Sequence, residues 1–395
     1  MTDLSRRRLL QTGAVAAGGV AIARSATAAT TPTAPAFHGI HQSGVLQEPG
    51  HCSAFLSCDF TARSRAELVE VMQMLTTHAR ALTTGGPSVP TGITAPSPDT
   101  GVLGPDAPAG SLTVTVGIGA SAFDGRFGLG SRKPLRLKAM DTFPNDALQP
   151  DLCHGDLMLQ LVAPERDTVL NAVRTLLRTT RGGLQVRWRM EGFSPPPRPS
   201  GSPRNHFGFK DGTASIPAAQ RDSLVWLPGG GGEPPWTVGG TYQVVRVIRM
   251  LVEFWDRVTI SEQERMFGRR KDSGAPLTGT KELDTPNYAD DPKGSTIPLD
   301  SHIRLANPRT PQSSSSQLLR RAYSYDSGVD SNGNLDMGLL FTCFQRDIER
   351  QFATVQRRLA DEPLTDYISP VGGGYFFTLP GVRDANDYFA RALLT

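Results

Sequence analysis

Ser194-Pro195-Pro196-Pro197-Arg198-Pro199-Ser200-Gly201 decides the architecture. Proline locks φ and removes a backbone donor, so this run serves neither a helix interior nor a central strand. It predicts a connection, residues 195–204, between an N-terminal half (37–194) and a C-terminal half (205–395). Working outward, the same grammar stands on both sides. Before the connection, residues 54–60, 112–118 and 157–162 read as strands, and 64–81 and 167–178 as helices, the first with Ser64 as N-cap. After it, 241–247 reads as a strand running into a helical segment through Trp255. Residues 339–344 and 375–379 read as further strands and 347–359 as an amphipathic helix. Residues 85–110, 229–232 and 310–316 are expected loops; the tetraglycine run is no phosphate loop, because no Gly-Lys-Ser/Thr follows it. The expected fold is therefore α+β in two similar halves.

The chain of 395 residues, 38% hydrophobic and 20% charged, has room for a large core. Its net charge of +3 comes from the N-terminus. Ser5-Arg6-Arg7-Arg8-Leu9-Leu10, a weakly apolar run and Ala26-Thr27-Ala28 read as a twin-arginine signal peptide, residues 1–28, followed by a linker, 29–36. That run is too short and too rich in Gly and Ala to span a membrane. Four arginines and one aspartate lie in the leader, so the remainder carries 37 residues of each sign and no electrostatic footprint for nucleic acid. The basic cluster 265–271 is flanked by acidic residues and reads as a solvated turn. Export by this route delivers a folded chain, often one built around a cofactor, to the periplasm or another extracytoplasmic space. Cys52, Cys58, Cys153 and Cys343 match no zinc pattern. Cys153 and Cys343 read as core thiols, and pairing of Cys52 with Cys58 stays open.

Seven histidines supply any metal or haem ligand, and no His-Glu-x-x-His or Cys-x-x-Cys occurs. In Asn205-His206-Phe207-Gly208-Phe209-Lys210-Asp211-Gly212-Thr213, glycines bracket one aspartate, an arrangement that lets backbone approach a flat ligand and aims a carboxylate at it. Alone this is also a common turn. His206 reads as a pocket-edge residue. Trp188, Trp226, Trp236 and Trp255, with Tyr323 and Tyr325, fit electron relay and ordinary packing equally well.

Two further segments carry more weight: Ser301-His302-Ile303-Arg304-Leu305-Ala306-Asn307-Pro308-Arg309 and Leu318-Leu319-Arg320-Arg321-Ala322-Tyr323-Ser324-Tyr325. With His41-Gln42-Ser43-Gly44, Asp151-Leu152-Cys153-His154-Gly155-Asp156-Leu157 and Gly372-Gly373-Gly374-Tyr375-Phe376-Phe377, they resemble the dye-decolorizing peroxidase family. The resemblance is closest to its exported, iron-uptake-associated branch, often called deferrochelatases. It implies two ferredoxin-like halves and one haem b per chain, bound mainly by the second half. It also implies His302 as proximal iron ligand, Asp211 and Arg320 as distal catalytic residues, Arg309 as a haem propionate partner and Asp366 as the acid on the proximal imidazole. Gly208 and Gly212 would shape the cofactor-binding loop. The family usually has Gly where this chain has Ala322, and often Asn near Ser215.

The implied reaction reduces hydrogen peroxide and oxidises an organic donor or a porphyrin, with iron release from haem, iron-uptake partners and a homodimer as further expectations. Peroxide cleavage needs a base that moves a proton between oxygens and a cation that stabilises the developing charge, which Asp211 and Arg320 supply. The alternative from another class is a non-catalytic haem-binding, iron-delivery protein, which needs His302 but no distal acid.

Overall fold

Eight long strands close into one antiparallel barrel built from both halves of the chain. The computed structural model describes residues 35–395 apart from 49, 88–91, 96, 98, 108–111 and 215. The expected twin-arginine leader, most of the expected linker and Ser215 lie outside them. The first half runs β1 (Cys52–Phe60), α1 (Arg65–Thr84), β2 (Thr113–Gly119), β3 (Leu157–Ala163), α2 (Arg166–Thr179) and β4 (Leu184–Phe193). The second supplies β5 (Thr241–Met250), α3 (Ile260–Phe267), α4 (His302–Ala306), β6 (Tyr323–Val329), β7 (Leu335–Gln345), a π-helical turn Glu349–Ala353 leading into α5 (Thr354–Arg358), and β8 (Ile368–Thr378). The spatial orders are β2-β3-β1-β4 and β6-β7-β5-β8, the same β-α-β-β-α-β ferredoxin-like arrangement twice. The last strand of each half pairs with the second strand of the other. β8 meets β2 at Phe376↔Gly119, Phe377↔Ile118 and Thr378↔Gly117, and β4 meets β6 at Phe193↔Ser324.

Strand alternation sorts side chains between lumen and outer face. Phe55, Met158, Trp188, Val245, Tyr323, Leu340 and Phe376 come from seven different strands and form one cluster, which only the lumen permits. On the outside, Leu68, Met72, Leu75 and Ala79 of α1 and Val169, Ala172, Val173 and Leu176 of α2 share a core with Leu56, Val116 and Leu159. Their spacing follows the helical period, and each large side chain so buried contributes about 1.5–3 kcal/mol. Ser64 caps α1 by accepting from Glu67 N at 3.1 Å. In the second half the outer layer stands off the sheet and leaves a cavity.

Several expectations change. The helix expected over 347–359 opens as a π turn before becoming α. β4 and β6 were not foreseen as strands, although Leu184, Val186, Trp188 and Met190 alternate with polar residues along β4. Within the expected loops, Gly86–Pro87 pairs with Asp106–Ala107, and Ser313–Ser316 forms a 3-10 turn. Cys52 and Cys58 cannot pair with each other. They stand six residues apart on one strand, roughly 20 Å at strand rise, where a disulfide needs Cα atoms about 4.4–6.8 Å apart. All four cysteines are free, and burial pushes the Cys58 thiol up to about 12. No helix among the described residues is long and apolar enough to cross a membrane.

Candidate active site

The sheet's period of two sets one wall of the cavity: Arg246, Ile248 and Met250 of β5, Leu339 and Phe341 of β7, and Ile368 and Pro370 of β8 all face it. Phe267, Ile303, Phe352 and Val355 extend the apolar lining around a volume of about 260 Å³. Into this space come one imidazole, two carboxylates and several cations.

His302 opens α4, directly after the buried N-cap Ser301, whose hydroxyl donates to Pro298 O at 2.7 Å. His302 Nδ1 stands 2.7 Å from Glu362 Oε2. An ionised carboxylate only accepts, so Nδ1 carries the proton and Nε2 keeps its lone pair. Burial alone pulls the His302 pKa down, but the charge and hydrogen bond of Glu362 outweigh it and the net shift is upward. The carboxylate expected on this ring was Asp366. Glu362 takes that place because it is the buried residue leading into the 3-10 turn Pro363–Tyr367, whereas Asp366 lies near the end of that turn, exposed.

Asp211 sits in a loop tied at several points. Asn205 Oδ1 accepts from Phe207 N and Phe209 N, Arg204 Nη1 donates to Gly208 O at 2.7 Å, and Asp211 N donates to Pro203 O at 2.9 Å. Lys210 Nζ donates to Ser200 O and pairs with Glu282. Gly208 and Gly212 have φ of 82° and 98°, values that favour glycine. They turn the backbone so that Asp211 faces the cavity; the loop residues that line it are Asn205, Phe207, Lys210, Asp211 and Thr213, not the glycines. Arg320 comes from a two-residue strand, Leu319–Arg320, added to β7 opposite Cys343 and Phe344. Its Nη1 donates to Asp211 Oδ1 at 3.1 Å. Arg321, buried behind it, donates to Arg320 O and to Leu46 O, both at 3.0 Å.

Arg309 stands exposed at the rim with φ of 57° and hydrogen-bonds the Tyr288 hydroxyl. The structure thus brings His302, Asp211, Arg320 and Arg309 to one cavity and leaves Asp366 out. His206 is engaged with Tyr325 O at 2.9 Å. Sequence reasoning missed Glu362, whose only local signal is its place just before Pro363. It also missed Arg269, which belongs to the cluster expected to be a solvated turn yet is 5% exposed and lines the cavity.

Residues 42–194 match the family Dyp-type peroxidase, N-terminal, and residues 202–383 match Dyp-type peroxidase, C-terminal. The chain belongs to the Dyp-type peroxidase family. The peroxidase is 47% identical to the deferrochelatase of Escherichia coli strain K12, across 100% of this chain and 98% of that one. To the deferrochelatase of Yersinia pestis it is 46% identical, across 99% and 95%. Among solved structures it resembles the DyP-type peroxidase of Cellulomonas bogoriensis, with a TM-score of 0.82 and 35% identity over 92% of this chain and 98% of that one.

The cofactor of this peroxidase is haem. The residues present fit it. His302 offers a ring nitrogen with a free lone pair on an apolar cavity, and Arg269 keeps a buried Nε with no hydrogen-bond partner among the described residues.

Proposed function

We propose that this peroxidase works outside the cytoplasm, uses haem both as cofactor and as a substrate from which iron is released, and serves iron uptake. Hydrogen peroxide is the oxidant, and organic compounds or porphyrins are the donors. One observation carries the reading: a carboxylate-backed imidazole and a carboxylate–guanidinium pair line the same apolar cavity. Near-full-length similarity to relatives named deferrochelatase supports the iron-release part, and the twin-arginine pattern of residues 1–28 supports export.

When bound, haem supplies an open iron coordination position and two electrons for O–O cleavage. His302 would hold the iron through Nε2, and Glu362 keeps the ring proton on Nδ1 and the ring basic. Asp211 Oδ2, free of partners among the described residues, takes a proton from hydrogen peroxide and returns it to the departing oxygen, which leaves as water. Arg320 stabilises the negative charge on that oxygen as the bond breaks. A carrier needs no such pair.

Iron release is tested by incubating the haem-loaded protein with a chelator that binds ferric iron while following porphyrin fluorescence. Equal amounts of chelated iron and intact protoporphyrin are expected. Iron accompanied only by ring-opened products would remove the release function and leave the peroxidase. Replacing Arg6 and Arg7 by Lys should retain the precursor in the cytoplasm, and undiminished export would end the twin-arginine reading.

A further inference from the structure

The charges lining the cavity do not balance. Lys210 is paired with Glu282, Arg246 with Asp146, Arg320 with Asp211 and His302 with Glu362. Two guanidiniums, Arg309 and Arg269, face the cavity with no carboxylate in ion-pair range among the described residues. Arg309 is at the rim, where water can solvate it. Arg269 is 5% exposed. Among the described residues its Nη1 donates only to neutral groups, Gly274 O at 2.6 Å and Glu282 O at 3.0 Å, and its Nε has no partner.

An isolated guanidinium in such surroundings is costly to bury, and an anion arriving in the cavity would offset that cost. Burial pulls the Arg269 pKa below its ordinary value, and the neighbouring Arg309 and Arg320 push in the same direction. Local charge therefore favours an arriving anion. Haem is a dicarboxylate, and the number of its carboxylates equals the number of cavity cations left unpaired.

Resting on the haem reading above, we infer that Arg269 is a second haem-carboxylate receptor, which with Arg309 makes the cavity selective for a dicarboxylate tetrapyrrole. A planar guanidinium suits this role better than an ammonium, because its parallel donors match a carboxylate. The two backbone carbonyls on Nη1 hold the side chain in place before the ligand arrives.

The test is a binding experiment on the full chain in its haem-free form, titrated with haem and with haem dimethyl ester and followed by quenching of tryptophan fluorescence. The ester keeps iron and macrocycle but lacks both carboxylate charges. Wild type should prefer haem. Arg269→Gln should weaken haem binding about 10- to 100-fold, the range a charge-assisted hydrogen bond supports, and leave ester binding unchanged. Arg269→Lys should keep part of the preference, which guards against a folding defect in the Gln variant. The double variant Arg269→Gln/Arg309→Gln should bind haem and ester alike. Equal loss for both ligands in Arg269→Gln would show that the side chain only braces its loop, and no loss for either would show that it meets no carboxylate. Either result overturns the inference. Wild type that bound neither ligand would sink the haem reading itself, and this assignment with it.

Discussion

Asp211 and Arg320 share one hydrogen bond, Nη1 to Oδ1, which holds the carboxylate and leaves its second oxygen for proton exchange. Asp211→Asn keeps the size and removes the base; Arg320→Leu removes the cation and keeps the carboxylate. Each variant should retain haem and slow the absorbance change on rapid mixing with peroxide by ~100-fold or more. A variant reacting at the wild-type rate would exclude its residue from the mechanism. On the imidazole side the two candidate acids give opposite forecasts. Glu362→Gln removes the anion that orients and polarises His302, so haem dissociation should quicken by ~10-fold or more. Asp366→Asn should leave haem loss and peroxide reactivity near wild type, since that side chain is exposed and off the cavity. Haem transfer to an acceptor protein measures both.

The loop carrying Asp211 is held as an element, and its strongest tie is Lys210 to Glu282, with side chains 5% and 14% exposed. Burial by itself raises the Glu282 pKa, but hydrogen bonds from Lys210 and Ser202 and the Lys210 charge outweigh it, so the net shift is downward. A carboxylate depressed in the folded state contributes stability above its unfolded pKa, and that contribution fades as pH falls through the folded value. Glu282→Gln leaves Lys210 buried without its counter-charge and should cost about 3 kcal/mol near neutral pH. The difference between wild type and variant should shrink as the pH drops below the ordinary glutamate value of 4.5. Urea titrations on both sides of that pH check the sign. A gap that widened on acidification would contradict the ion pair as the source. Because the tie adjoins Asp211, the variant should also react more slowly with peroxide.

At the scale of the whole molecule, the halves are two ferredoxin-like units but not two independent ones. Cut apart, residues 37–194 would present β2 and β4 as bare sheet edges and expose Phe55, Met158 and Trp188, which now face the shared lumen. The expectation is that this fragment aggregates, whereas residues 35–395 unfold in one cooperative transition. Light scattering on the fragment and calorimetry on the whole chain would show it. A soluble fragment with its own sharp transition would mean that barrel closure adds little.

Local chemistry was legible in the sequence alone. The proline-rich run at 195–199 forms neither helix nor strand, Ser64 marked the start of α1, and the bracketing of Asp211 by Gly208 and Gly212 marked a turn. The motifs pointed to His302 and Arg320, because short-range pattern acts along the chain, and both side chains line the cavity. Partnership across the chain was not legible. Nothing local distinguishes Glu362 from Asp366 as the acid on His302, since burial and reach are set by how the turn Pro363–Tyr367 docks. Nothing local shows that Arg269, among four basic residues in the cluster 265–271, is the one folded inward. The closing of β8 on β2 and β4 on β6 is likewise a long-range event, decided when two half-sheets bury their inner faces against each other. Sequence sets what each residue can do, and tertiary packing, by removing water from some groups and not others, decides which of them do it.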